Sequence, residues 1–304
     1  MIQAISSLHS KIIYPIRDLI FHTIGLISPK ALASIHYKRG FGKKLNWKNP
    51  IDINEKINWL KFKSDTSKWT LLADKYKVRE YVKSCGLDEM LVDLYGRWDK
   101  AEDIDWNSLP NKFVLKTNNG SGNVLICKDK SKLDIKENIT YFNKLLKKKF
   151  GNIMSEPHYN KIRPCIIAEE LLDNTKQVTE SSSLIDYKIW SFNGKPAYIW
   201  TCYNRTQHSA EVGLYDLEWN FHPEYSISKP HYILGHPIPK PKTLDKMLKA
   251  AAILSKGFPE VRIDLYETGG KVYFGEMTFT SAAGFNDFYT DDFLKILGKL
   301  TVIK

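Results

Sequence analysis

Cysteine is scarce in this chain and nowhere clustered. The four cysteines, at positions 85, 127, 165 and 202, stand 37 to 42 residues apart with no CxxC pair. The eight histidines form no HExxH or HxH spacing. These absences argue against a structural zinc, a zinc hydrolase and a disulfide framework, and scattered single thiols suit a reducing cytoplasm. No serine or cysteine stands in a recognisable nucleophile triad. There is no internal repeat and no low-complexity tract. Long apolar runs are missing too. The opening "MIQAISSLHSKIIYPIRDLIFHTIGLISP" is apolar at roughly helical spacing, but Lys11, Arg17 and Asp18 interrupt it. It is too polar to span a bilayer and lacks the cleavage site of a signal peptide. It reads either as an amphipathic helix lying on a membrane surface or as a helix packed on the protein's own core.

Acid is scarce at one end. Residues 1–63 hold eleven Lys/Arg against Asp18, Asp52 and Glu55, which places +8 of the net charge of +11 in the first fifth of the chain. A basic surface takes nucleic acid or an anionic membrane face; the membrane is kept as one possible partner, and nucleic acid is not expected. What remains is an ordinary globular composition, 43% hydrophobic and 26% charged, and 304 residues suffice for two or three subdomains. Residues 1–110 read mostly helical, and "TSKWTLLADKYKVREYVKSCG" predicts one helix stopped by Gly86. From 113 the texture turns to strands: "FVLK", "NVLIC", "CIIAEEL", "DYKIWSF", "KPAYIW", "VRIDLY" and "KVYFGEMTF". Helices over about 134–149 and 243–256 lie among them. The expected class is α+β.

Four pieces carry chemistry. In "FVLKTNNGSGNVLI" an apolar strand ends on Lys116 and runs into Asn119, Gly120, Ser121 and Gly122. This is either a plain hairpin or a loop whose N–H groups and lysine cradle an anion. In "DYKIWSFNGKP" the Asn193-Gly194 turn closes a hairpin; Asp186, Lys188 and Trp190 share one face, to which Tyr203 and Arg205 are expected to return. In "VRIDLYETGGKVYFGEMTF" a three-residue loop, Thr268 to Gly270, would put Asp264 and Glu276 on one face as diagonal neighbours. A two-residue loop would separate them. Such a pair suits Mg²⁺, although Arg262 is an alternative partner for a buried carboxylate. Finally, "PCIIAEELLD" reads as an edge strand ending in Glu169 and Glu170, where backbone groups are free for an adenine, or as a strand end with solvated acids.

The ordered series "ADKYKVREYV", "FVLKTNNGSGNVLI", "IIAEELL", "DYKIWSFNGKP" and "VRIDLYETGGKVYFGEMTFTSAAGF", with "NPIDINEKINWLK" upstream, resembles the ATP-grasp superfamily. More narrowly it resembles the TupA-like (teichuronopeptide) branch associated with capsular and surface polysaccharides. The likeness runs from about residue 40 to 288. It implies a helical subdomain over 1–110, a lid over 111–170 and a larger antiparallel C-terminal sheet over 171–304. ATP would lie between lid and sheet. Lys116 would contact its α- and β-phosphates, the 118–122 loop would close over them, and Glu169, Glu170 and Leu171 would form the adenine hinge. Lys75 looks like the family's second phosphate lysine, with a plain surface-helix lysine as the alternative. Lys188, Arg205 and Arg262 would be the catalytic cations, while Asp264, Glu276 and Thr278 would hold one or two Mg²⁺. Thr278 departs from the Glu-x-Asn pattern common at this metal site, and a neutral hydroxyl is the weaker ligand.

The implied reaction is ATP-dependent amide formation. A saccharide carboxylate of hexuronic type would be activated as an acyl phosphate and captured by a small amine or amino acid. Three rivals are kept. Asp103-Ile104-Asp105 matches a glycosyltransferase metal motif by letter but lies in a polar connector. A kinase on the same fold would release no free phosphate. A non-catalytic module at the inner membrane face would turn over no ATP.

Overall fold

The computed structural model describes residues 14–122 and 124–303, with side chains from 19 onward. Residues 1–13 of the basic opening lie outside them. Helices α1 (Tyr14–Ile27) and α2 (Pro29–Phe41) meet at Ser28, whose hydroxyl accepts the Ala31 N–H and caps α2. The next helix, α3 (Ile53–Lys63), opens on a reciprocal cap: Asp52 accepts the Glu55 N–H at 2.9 Å, and Glu55 accepts the Ile51 N–H at 2.8 Å. No helix among the described residues is long and apolar enough to cross a membrane.

The expected single helix after Thr66 is two, α4 (Ser67–Leu72) and α5 (Val78–Ser84). Asp74 makes the break. Its carboxylate accepts the N–H groups of Tyr76 and Lys77 and is itself held by the Asn118 amide at 2.9 Å. A short acid that bonds its own backbone favours a turn over helix continuation.

Strands β1 (Leu94–Trp98), β2 (Phe113–Thr117), β3 (Val124–Cys127) and β4 (Ile166–Glu170) form a sheet in the order β1-β4-β2-β3. The largely helical first stretch thus contributes β1 to this sheet. Helix α6 (Ile135–Leu146) covers one face, with Phe142 packed on Phe113, Leu115 and Ala168. By register, the opposite face carries Val114, Lys116, Val124, Ile126, Ile167 and Glu169.

The larger sheet runs β10-β9-β5-β6-β7-β8, antiparallel except for β7–β8. Its strands are β5 (Asp186–Phe192), β6 (Lys195–Tyr203), β7 (Ala210–Tyr215), β8 (Tyr232–Leu234), β9 (Val261–Thr268) and β10 (Lys271–Thr278). Helix α7 (Leu244–Leu254) buries one face with Tyr187, Ile189, Ile263 and Leu265. The other face is closed at one end by α3 and α8 (Asp291–Leu300), where the Trp200 ring stacks on Phe288 at 4.5 Å. At its other end the same face bears the charges described next.

Candidate functional site

The β9–β10 hairpin turns on two residues, Gly269 and Gly270, with Thr268 paired to Lys271. This corrects the expected three-residue loop. Such a turn alone would put Asp264 and Glu276 on opposite faces. A bulge reverses that: the ladder pairs Phe274 with Leu265 and then Glu276 with Asp264, leaving Gly275 as the extra residue. The two acids are therefore directly opposite rather than diagonal, and Thr278 faces Arg262. A Cβ on Gly275 would lie 2.9 Å from the Asp264 carbonyl oxygen, so a side chain there crowds the pairing.

Around the acids stands a closed set of cations. Arg262 grips Asp264 with two N–H groups, Nε to Oδ1 at 2.7 Å and Nη2 to Oδ2 at 2.8 Å, and Lys188 Nζ lies 2.6 Å from the same Oδ2. Lys188 is also 3.4 Å from Asp186, which Arg205 pairs from the rim. Burial opposes charge on Lys188, but Asp186 and Asp264 outweigh it and hold the ammonium above its ordinary range. Glu276 keeps 32% of its side chain exposed and meets Lys75 Nζ at 3.1 Å. Burial would raise its pKa, yet Lys75, Lys188 and Arg262 keep the carboxyl well below the usual range. Thr278 donates to Glu276 at 3.1 Å. Tyr203, expected on this face, lies on the other, where its hydroxyl donates to the His236 carbonyl. The β5–β6 ladder shifts between Trp190 and Ser191, and Ala197 is the extra residue, so Trp200 and Cys202 point with Lys188 instead. Arg205 still reaches the face because it follows the strand.

The smaller sheet presents Lys116 to a carboxylate too: its Nζ is 2.5 Å from Glu169 Oε2, and Arg79 takes the other oxygen at 3.4 Å. The expected adenine edge needs correction. Strand β4 lies between β1 and β2, and the Glu170 N–H already donates to the Asp93 carbonyl. Backbone groups outside the ladder therefore begin at Leu171. Lys75 sits in the turn that Asp74 makes, not on a helix. Its Nζ donates to the Gly120 carbonyl at 2.8 Å while pairing with Glu276, and its N–H donates to Asn118. It thereby ties the glycine loop to the acid hairpin. Within that loop Asn119 and Gly120 are buried, Gly120 packs on the Phe150 ring, and Ser121 and Gly122 are exposed. Asp103 and Asp105 are exposed, and Asp105 accepts the N–H groups of Asn107 and Ser108; the letter match to a glycosyltransferase motif is a turn.

Several contributors gave no readable signal. Arg262 Nη1 donates to Ser281 at 2.8 Å, Ser281 to Asn286 at 2.7 Å, and the Asn286 side-chain amide to the Asn54 side-chain oxygen Oδ1 at 2.7 Å. Asn58 and Lys61 hold the Gly284 and Ala283 carbonyls at 2.9 Å each. Three positions of α3 thus grip a loop in which Ala282 and Ala283 take positive φ (46° and 56°), a conformation costly for alanine. That explains the polar residues of "NEKINWLK". Deeper in, Glu156 accepts from Thr280 at 2.6 Å, and burial raises its pKa although Thr280 and Lys61 oppose the rise.

His158 lies edge-on to Trp69, and among the described residues neither ring nitrogen has a partner. Burial first, then Lys61 and Lys161, lower its pKa to about 3. A depressed folded pKa means stability complete above the unfolded value near 6.5 and lost as pH falls toward 3, because only the unfolded chain takes the proton. The slope reaches about 1.4 kcal/mol per pH unit. His158→Phe is expected to flatten the urea midpoint between pH 6.5 and 4; an unchanged slope would exclude His158 as its source.

Among the described residues no three His, Cys, Asp or Glu side chains cluster as a metal cage. Mg²⁺ needs none, since one or two carboxylates with phosphates and waters suffice. The donor set fits it: Glu276 has open lone pairs, and among the described residues Asp264 Oδ1 accepts from Arg262 Nε alone.

A search of curated proteins finds no match. Among solved structures, a D-alanine–D-alanine ligase from Bacillus anthracis is 16% identical with TM-score 0.41, covering 76% of this chain and 67% of that one. The corresponding Helicobacter pylori ligase is 13% identical with TM-score 0.42, covering 84% and 68%. The ATP-grasp ligase PsnB with its minimal precursor is 11% identical with TM-score 0.45, covering 79% and 62%. All three are too distant to carry a substrate across. The TupA-like ATP-grasp family model matches residues 55–302, more than four-fifths of the sequence and every element of the charged face. The chain is therefore a member of the TupA-like ATP-grasp family, whose general class is the ATP-dependent ligase.

Proposed function

We propose that this protein forms an amide in capsular or surface polysaccharide synthesis, activating a saccharide carboxylate of hexuronic type with ATP and passing it to a small amine or amino acid. The observation that carries the reading is Lys75, which joins the glycine loop to Glu276 beside Lys188 and Arg262. Phosphate loop and acid hairpin therefore act on one spot. Lys116 and the loop N–H groups bind the phosphates, and the chain past Glu170, from Leu171, takes the base. Arg205, exposed at the rim, orients the acceptor carboxylate. That carboxylate attacks the γ-phosphorus, the bond to the β–γ bridging oxygen breaks, and ADP leaves. The amine then attacks the acyl carbon, phosphate departs with the electron pair, and the amine proton passes to solvent. Lys188 and Arg262 are already in place for the moving charge, so little reorganisation is needed.

Asp264 and Glu276 would hold Mg²⁺, with Thr278 bracing Glu276. The metal supplies charge neutralisation at the transferred phosphoryl group. Counting charges favours one ion. Lys75, Arg79, Lys116, Lys188, Arg205 and Arg262 face Glu169, Asp186, Asp264 and Glu276. The surplus of two positive charges falls short of a fully ionised triphosphate, and one divalent ion closes the gap. We assign the reaction to the cytoplasmic side of a membrane, where ATP is available and thiols stay reduced.

The test has two stages. MgATP is expected to raise the melting temperature and sugar nucleotides are not; the reverse would overturn the reading in favour of a glycosyltransferase. With ATP, a uronate and an amine, free phosphate is expected to appear in step with ADP. A stable phosphorylated product without free phosphate would make the protein a kinase.

A further inference from the structure

Among the described residues, helix α1 is packed on one side only. A Cβ at Gly25 would fall 2.0 Å from the Asn152 carbonyl oxygen, so the helix backbone lies directly on the body there. The Phe21 ring meets His36 edge-on at 4.8 Å, and the Arg39 guanidinium lies over Phe21 at 5.1 Å. The other side is bare: Leu19 is 65% exposed, Ile20 51%, Leu26 61% and Ile27 81%. Positions i, i+1, i+7 and i+8 fall on one stripe of an α-helix, with exposed Thr23 at its centre. The reading of this helix as packed on the protein's own core describes its inner face only.

The surroundings say what covers the stripe. Residues 19–48 contain Lys30, Lys38, Arg39, Lys43, Lys44 and Lys48 and no acid. All six cations are exposed. We propose that the outer face of α1 docks the protein on an anionic lipid surface, with the aliphatic stripe entering the headgroup boundary and the six cations meeting lipid charge. A second copy of this chain is a poor occupant, because a symmetric contact would set the cations against one another. A nucleic acid would find no use for four aliphatic side chains, since its bases stack on aromatic rings. Exposed aliphatic chains followed closely in the chain by exposed cations match lipid on both counts. The docking face rests on the membrane placement above, and is independent of the ligase chemistry.

The test uses the full chain and vesicles of phosphatidylcholine alone or mixed with phosphatidylglycerol. Wild type is expected to sediment with the mixed vesicles, to be released in part by salt, and to ignore the neutral ones. The double substitution Leu26→Glu, Ile27→Glu should cut partitioning about tenfold or more, with melting temperature and stabilisation by MgATP unchanged. Equal sedimentation of the double variant would overturn the docking face and leave the membrane placement standing. No sedimentation of wild type would overturn both. A wild-type dimer without vesicles, abolished by the same substitutions, would assign the stripe to self-association and overturn the proposal. MgATP stabilisation tells these outcomes apart from failure of the ligase reading.

Discussion

Glu276→Gln is expected to leave a folded protein that binds ATP weakly and no longer responds to Mg²⁺. The amide keeps the shape of the side chain and the β9–β10 ladder is backbone, so the hairpin stays paired. What goes is a charge that three cations converge upon, on a side chain still 32% exposed and so open to a metal. Asp264 cannot hold the ion by itself, because Arg262 and Lys188 already take most of its lone pairs and leave it one open side of Oδ1. Calorimetry of ATP with and without Mg²⁺ reads the effect directly: the metal should strengthen wild-type binding and leave the variant's unchanged. Turnover should fall by about 10³ or more, the scale of losing a principal electrostatic contact at a transferring phosphoryl group. If Mg²⁺ still strengthens ATP binding in the variant as in wild type, Glu276 is not a metal ligand. Thr278→Ala should do far less, since Thr278 is neutral and only braces Glu276 while accepting a long hydrogen bond from Arg262.

Lys116→Ala should weaken ATP binding by about one to two orders of magnitude, the equivalent of roughly 1.5–3 kcal/mol for a charged hydrogen bond. Lys116 now contacts Glu169 at 2.5 Å, so its loss also strands a buried carboxylate with Arg79 alone. The double variant Lys116→Ala, Glu169→Gln separates the two effects. If Lys116 serves only to neutralise Glu169, removing both charges restores ATP affinity. If it binds phosphate, the double variant recovers thermal stability while its ATP affinity stays low. Restored affinity would refute the phosphate role.

Much of the fold was legible. The helices near 134–149 and 243–256 lie where their apolar periodicity placed them, at Ile135–Leu146 and Leu244–Leu254. The seven strands read from position 113 onward all exist. Strands β1, β7 and β8 gave no clear signal because they are short or polar at alternate positions, and only pairing with a neighbour makes them strands. The break at Asp74 was readable in principle, since Asp-Lys-Tyr-Lys offers a self-bonding acid, but its apolar flanks continue the helical stripe. The grip of Asn54, Asn58 and Lys61 on the loop at 282–286 was not readable. Those residues are more than 220 positions from their partners.

The sequence by itself determined which groups were available: one lysine before a glycine loop, an acid in each arm of a glycine hairpin, and basic residues gathered at one end. Each is a local property of residue type and spacing. Only the tertiary structure decided which way these groups face. In the β9–β10 hairpin the turn is one residue shorter than expected, and the bulge at Gly275 returns Glu276 to Asp264. In the β5–β6 hairpin the turn is as expected, and the extra residue Ala197 sends Tyr203 to the far side. The side-chain period of a strand is two, so one unpaired residue reverses everything beyond it. Whether a ladder absorbs such a residue depends on the strands and helices packed against it, which no local stretch contains.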